Sequence, residues 1–130
     1  MKHTFTKKER LSSKKPIDQL FTEAKTFFSY PFKVFYLFQD AEKELPVQVL
    51  ITVSKKNFKK AVDRNKLKRL VREGYRKNKI LLHDYLNENN KSVLFGLVYV
   101  GETILLPQEI ERKLILILQR LIEQDEEAIE

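Results

Sequence analysis

The sequence predicts an α+β fold, a two-layer sandwich in which helices pack on a sheet of three or four strands. Three observations carry this prediction. Short branched and aromatic runs have strand length, apolar residues recur at helical spacing in other segments, and the two kinds follow one another as helix, strand, strand, helix, strand, helix. The 130 residues suit one domain, 1-130, and an apolar content of 42% is enough for one core.

Pro16 fits the first turn of a helix, and Ile17, Leu20, Phe21 and Ala24 follow at i, i+3, i+4 and i+7. Phe32 to Phe38 is rich in aromatic and branched residues and too short for a buried helix, so it predicts a strand. The polar stretch Gln39 to Pro46 turns the chain. Val47, Val49, Ile51 and Val53 alternate with Gln48, Leu50, Thr52 and Ser54, which predicts a second strand, most simply antiparallel to the first in a hairpin.

A basic segment from Lys55 then leads into a helix over residues 63–76. At 100° per residue, Leu67, Leu70, Val71, Gly74 and Tyr75 form a core arc. Arg64, Lys68, Arg72 and Arg76 form an i+4 stripe beside it, with Asn65 and Arg69 further round on the same polar side. Val93 to Val100 is continuously apolar, as a strand covered on both faces should be. Pro107 opens a last helix, in which Ile110, Leu114, Ile117 and Leu121 keep helical spacing.

The net charge of +7 is not evenly spread. Residues 1–15 form a basic arm of net +5, and residues 55–79 carry twelve cations against Asp63 and Glu73, net +10. The intervening residues 16–54 are net −2, and residues 80–130 are net −6, ending in an acidic tail over 123–130. Two acids cannot neutralise the central segment by i,i+4 pairing, and like charges along a helix destabilise it. Such a stripe is better explained by phosphates, so the charge pattern points to a nucleic acid. Seven aromatic residues crowd into positions 27–38, more than one face of one strand can bury. Most are expected in the core; the remainder could stack on unpaired bases, as single-stranded RNA is commonly held.

Several classes are excluded. Without cysteine there is no disulfide framework, Cys-ligated zinc or thiol nucleophile. No run of about eighteen apolar residues occurs, so no membrane span is expected, and no apolar h-region follows the N-terminus, so a cytoplasmic location is expected. His3 and His83 are too far apart in sequence for a metal-binding spacing, and His83 suits a helix end or a partly buried structural position. No Gly-x-Ser-x-Gly, Gly-rich phosphate loop or Asp-x-Asp pair occurs, so neither catalytic nor metal-ligating residues are expected.

Thr52-Val53-Ser54-Lys55-Lys56, followed by Ala61-Val62-Asp63-Arg64-Asn65-Lys66-Leu67-Lys68-Arg69-Leu70-Val71-Arg72-Glu73, closely resembles the bacterial ribonuclease P protein subunit. Lys8-Glu9-Arg10-Leu11 and Ile17-Asp18-Gln19-Leu20-Phe21 look like that family's opening helix, and Phe32 to Leu37 like its first strand. The resemblance implies a ribosomal-protein-like fold with a left-handed β-α-β crossover, against the usual handedness. It further implies an accessory subunit that binds a catalytic RNA and helps it remove the 5′ leader of precursor tRNA, with catalysis and the bound magnesium belonging to the RNA.

On the matching positions, Lys55, Lys56, Arg64, Asn65, Lys66, Lys68, Arg69, Arg72 and Arg76 would contact RNA, and Ile17, Phe21 and Phe35 would line a cleft for the single-stranded leader. Lys66 stands where the family has Arg, which keeps charge but loses the planar fork. Asn57-Phe58-Lys59-Lys60 replaces the family's usual Gly-Asn, and Ile17 stands where an aromatic is frequent. The alternative is a ribosomal-type structural RNA-binding module without a processing role, since a fold does not fix a function.

Overall fold

The structure is a computed structural model and describes residues 14–40 and 47–129. Its elements are α1 (Lys14–Glu23), β1 (Lys25–Ser29), β2 (Phe32–Asp40), β3 (Val47–Val53), α2 (Ala61–Asn78), α3 (Ile80–Asn89), β4 (Lys91–Tyr99) and α4 (Pro107–Ile129). Most of the basic arm, including Lys8 to Leu11, lies outside the described residues, as does the greater part of the turn before Val47.

The strands form one sheet in the order β1-β2-β4-β3. β1 and β2 are antiparallel with Phe28 opposite Lys33, β2 and β4 are antiparallel with Phe35 opposite Gly96, and β3 runs parallel to β4 with Val53 opposite Tyr99. The hairpin expected between Phe32–Phe38 and Val47–Val53 therefore does not form, because β4 lies between the two strands. The reason is burial. Val93, Phe95 and Leu97 are buried on one face of β4 and Leu94 on the other, so this strand needs neighbours on both sides and cover on both faces. β3, with Gln48 and Thr52 on its second face, tolerates the edge. Since β3 and β4 are parallel, the chain must cross over between them, and α2 and α3 make that connection.

β1 and α3 are additions to the sequence-based expectation. Phe27 and Phe28 are consecutive aromatics in a five-residue strand, so alternation is hidden, yet Phe27 turns inward and Phe28 outward. α3 buries Leu82, Tyr85 and Leu86, and ends at Asn90, whose left-handed φ of 52° lets its N–H reach the Leu86 carbonyl.

The main core lies between one sheet face and the layer of α2, α3 and α4. It joins Phe32, Val34, Phe95 and Tyr99 from the sheet to Leu67, Val71 and Tyr75 of α2 and to Ile110, Leu114, Ile117 and Leu121 of α4. A smaller cluster on the other face sets Leu20 of α1 on Leu94, with Ile17, Phe35, Leu37 and Leu50 around it. Among the described residues α1 covers that face, and Gly96 gives it room: a methyl group there would already touch Leu20 at 3.4 Å.

The acidic end is not an extension. Helix α4 continues through it to Ile129, and Asp125 is buried against the body of the protein.

Candidate RNA interface

α2 divides into faces as its periodicity requires. Leu67, Val71, Gly74 and Tyr75 are buried, while Asn65, Lys66 and Arg69 are exposed and Arg64, Lys68, Arg72 and Arg76 are partly exposed at the rim. The flank carrying Gly74 and Asn78 meets α4, since the Asn78 amide donates to the Glu111 carboxylate at 2.9 Å and Gly74 packs on Leu114. The cationic stripe occupies the opposite flank, turned away from α4. With one turn of helix advancing about 5.4 Å, the stripe matches a run of phosphates.

Arg64 and Arg76 of the stripe have partners within the protein. Arg64 Nη1 donates to the carbonyls of Phe58 and Lys59, both at 2.8 Å, and so clamps the preceding basic loop onto the helix. Arg76 donates to Glu73 one turn back, at 3.0 Å through Nε and 2.5 Å through Nη2. The Arg76 hydrogen bond holds the exposed Glu73 carboxyl below its ordinary pKa and raises that of the guanidinium.

The loop before α2 is firmly built. Phe58 is buried and stacks edge-on against Tyr99 at 6.1 Å, and its N–H donates to the Ser54 carbonyl at 3.0 Å. Asn57 donates its amide to the Val100 carbonyl at 2.9 Å. Asn57-Phe58-Lys59-Lys60 is thus an anchored turn that leaves Lys55, Lys56, Lys59 and Lys60 exposed around it. The signal was present as a lone aromatic among lysines, which has no reason to be in a purely solvated run.

Ile17, Phe21 and Phe35 come together on the opposite sheet face. Phe21, on the outer side of α1, is 49% exposed, and its ring stands edge-on to Phe35 with centroids 5.1 Å apart. Lys33 Nζ lies 5.3 Å from the Phe35 ring centre, a cation over an aromatic face. Ile17 is half-buried beneath, packed with Leu20, so it contributes a wall and not a ring.

Of the seven crowded aromatics, Phe27, Phe32 and Tyr36 are buried in the core, and Phe35 and Phe38 are only partly buried against it, so fewer are fully buried than expected. Phe28 and Tyr30 are more than half exposed; Phe28 lies on the same side as Lys33, and the Tyr30 ring touches that of Phe28. The sequence contained this signal too, because strand alternation separates Phe28 from Phe27.

His83 is partly buried in α3. Among the described residues, no group of three His, Asp or Glu side chains is placed to hold a metal ion, and no helix is long and apolar enough to cross a membrane.

Comparison with known proteins identifies the family and the fold. Residues 5–96 match the family described as Ribonuclease P. A ribonuclease P protein component of Porphyromonas gingivalis is 38% identical over 99 residues, covering 76% of this chain and 72% of that protein. One of Chlorobium phaeobacteroides is 37% identical over 108 residues, covering 77% and 70%. Among solved structures, the RNase P protein from Thermotoga maritima superposes with a TM-score of 0.66 at 26% identity, covering 86% of this chain and 96% of that one. The Staphylococcus aureus RNase P protein shares the fold, with a TM-score of 0.66 at 20% identity over 87% of this chain and 94% of that one. With its central Ser-Lys-Lys and Arg-Asn-Lys segments placed on an anchored loop and a cationic helix, the chain belongs to the ribonuclease P protein family.

Proposed function

We propose that the cationic flank of α2 and the loop before it dock on the catalytic RNA of ribonuclease P, while the groove between α1 and the sheet holds the 5′ leader of precursor tRNA. Family membership gives the chain its general role, the protein component of ribonuclease P in tRNA 5′ processing. The observation that carries the proposed division of labour is the placement of two different surfaces on opposite sides of one sheet: cations without a matching number of acids on α2, and half-exposed rings beside Lys33 on the α1 face.

The chemistry of each surface suits its target. Lys55, Lys56, Lys66, Lys68, Arg69 and Arg72 neutralise closely spaced phosphates and release counterions, so assembly weakens steeply as salt rises. Phe21 and Phe35 offer faces and edges to unpaired bases, which only precursor tRNA supplies, and this favours substrate over product. Cleavage is assigned to the RNA and the magnesium it holds; the protein's cations screen phosphate repulsion and so lower the magnesium needed. Such a subunit works in the cytoplasm.

The test is reconstitution of the chain with its cognate catalytic RNA and measurement of 5′ cleavage at low magnesium. Stimulation is expected, with Phe21→Ala lowering the preference for precursor over mature tRNA by about tenfold, the loss of one stacked base. No stimulation with folded protein and folded RNA overturns the proposal. Co-purification of ribosomal RNA in place of the catalytic RNA would assign the chain to the structural RNA-binding class.

A further inference from the structure

The groove between α1 and the sheet does not account for every exposed ring on that side. Phe28 and Tyr30 are 56% and 52% exposed, and they touch each other, with centroids 6.3 Å apart in a tilted arrangement. Exposed aromatics scattered singly need no explanation, but a contacting pair on a rigid hairpin does. This hairpin is held from behind: Arg120 of α4 lies 4.3 Å over the Phe27 ring and donates to the Phe28 carbonyl at 3.2 Å. The turn is tied to the end of β4, where the Val100 N–H donates to the Pro31 carbonyl at 2.8 Å. The two rings are therefore presented in advance, and a ligand need not order them.

Their surroundings select the ligand. Phe28 lies directly opposite Lys33, the same lysine that covers Phe35, so Lys33 stands between the groove and the second pair of rings. At the other end, Tyr30 lies against Gly101, whose loop is held by Asn57 next to Lys55 and Lys56. The rings thus bridge a candidate leader groove and a candidate RNA-docking loop. Aromatic faces alternating with cations are the features that hold unpaired nucleotides without base-specific hydrogen bonds.

We propose that Phe28 and Tyr30 form a second stacking platform for single-stranded RNA, which carries the leader out of the Phe21–Phe35 groove and along the β1–β2 hairpin toward the basic loop. This rests on the leader-groove reading above and adds one or two nucleotides to the stretch of leader that the protein recognises. It also makes the affinity depend on leader positions distinct from those read by Phe35.

An abasic scan of the leader tests both statements separately. The holoenzyme, reconstituted with its cognate catalytic RNA, is titrated with precursor tRNAs that lack one leader base at a time. The wild-type protein should lose about tenfold in affinity at two groups of positions. With F28A/Y30A one group becomes insensitive and the other stays sensitive; with Phe35→Ala the pattern reverses; and F28W/Y30W keeps both. Both rings are exposed, so the double variant should melt as the wild type does. A scan of F28A/Y30A that matches wild type, while Phe35→Ala changes it, overturns the second platform and leaves the groove standing. A scan in which no leader base matters, for wild type or any variant, overturns the groove and the platform together.

Discussion

Lys91, at the start of β4, and Asp125, near the end of α4, form an ion pair in which the ammonium lies 2.9 and 2.8 Å from the two carboxylate oxygens. The Asp125 side chain is 5% exposed and that of Lys91 21%. Tyr85 of α3 donates its hydroxyl to the same carboxylate, and the lysine also lies 6.0 Å over the Phe38 ring. One acid thus joins α3, β4 and α4. Removing it leaves a largely desolvated ammonium and a phenol without their acceptor. Asp125→Ala should destabilise the fold by about 2–3 kcal/mol, less than for a fully buried pair because Lys91 reaches solvent. Thermal or urea unfolding checks this, and deletion of residues 123–130 should lower stability as well.

Arg69 and Arg64 should behave differently although both are cations of one helix. Arg69 is exposed, so Arg69→Ala should weaken assembly with the catalytic RNA and reduce the slope of log affinity against log salt by about one. Arg64 also clamps the loop through the Phe58 and Lys59 carbonyls. Arg64→Ala should therefore weaken assembly more, and amide exchange should quicken in residues 55–60. Arg64→Lys should recover the salt slope but not the slow exchange, because it lacks the guanidinium fork. Equal effects of the two alanine variants would contradict the clamp.

Gly74 lies at a close approach of α2 to α4. A Cβ there would lie 2.6 Å from Leu114 Cδ1 and 3.5 Å from the Glu111 backbone. Leu114 is itself buried among Ile110, Ile117 and Leu118, so it can give way only by disturbing the core. Helix propensity alone would make Gly74→Ala stabilising by about 1 kcal/mol, whereas overpacking costs about 1–3 kcal/mol. The net expectation is a loss of stability with unchanged RNA affinity of the folded protein, measured by denaturant unfolding and by binding at low temperature.

Burial pushes the Tyr36, Tyr85 and Tyr99 phenols above their ordinary value of 10.0, and for Tyr85 the Asp125 carboxylate adds to the effect. An acid whose pKa is raised by folding keeps its proton in the native state after the unfolded chain has lost it. Stability contributed this way is complete below pH 10 and falls as pH rises toward the folded values. The melting temperature should therefore drop above pH 10, and the phenolate absorbance of the folded protein should lag behind that of the denatured chain. Tyr85→Phe should flatten this dependence.

The sequence by itself determined the elements with long, clear periodicity and the charge they carry. The core arc of α2 was legible because Leu67, Val71, Gly74 and Tyr75 recur at 3.6-residue spacing, and the cationic flank followed as its complement. That β4 is covered on both faces was legible in Val93 to Val100, although its place between β2 and β3 was not, since neighbours in sequence pair most simply. Only the tertiary structure decided which charges are used internally. Arg64 and Asp125 look in sequence like any surface charge, and their partners, the Phe58 carbonyl and Lys91, are identified by how loop and helix pack back on the body, whereas the Arg76–Glu73 pair is local, three residues apart on α2. The same holds for the rings: the sequence crowds seven aromatics into positions 27–38, but pairing register and the cover supplied by α1 and α4 decide that Phe27 is core while Phe28 and Tyr30 stand at the surface. Local pattern fixes a helix or strand because its periodicity is written in adjacent residues; burial and pairing depend on residues tens of positions away, and no local pattern encodes them.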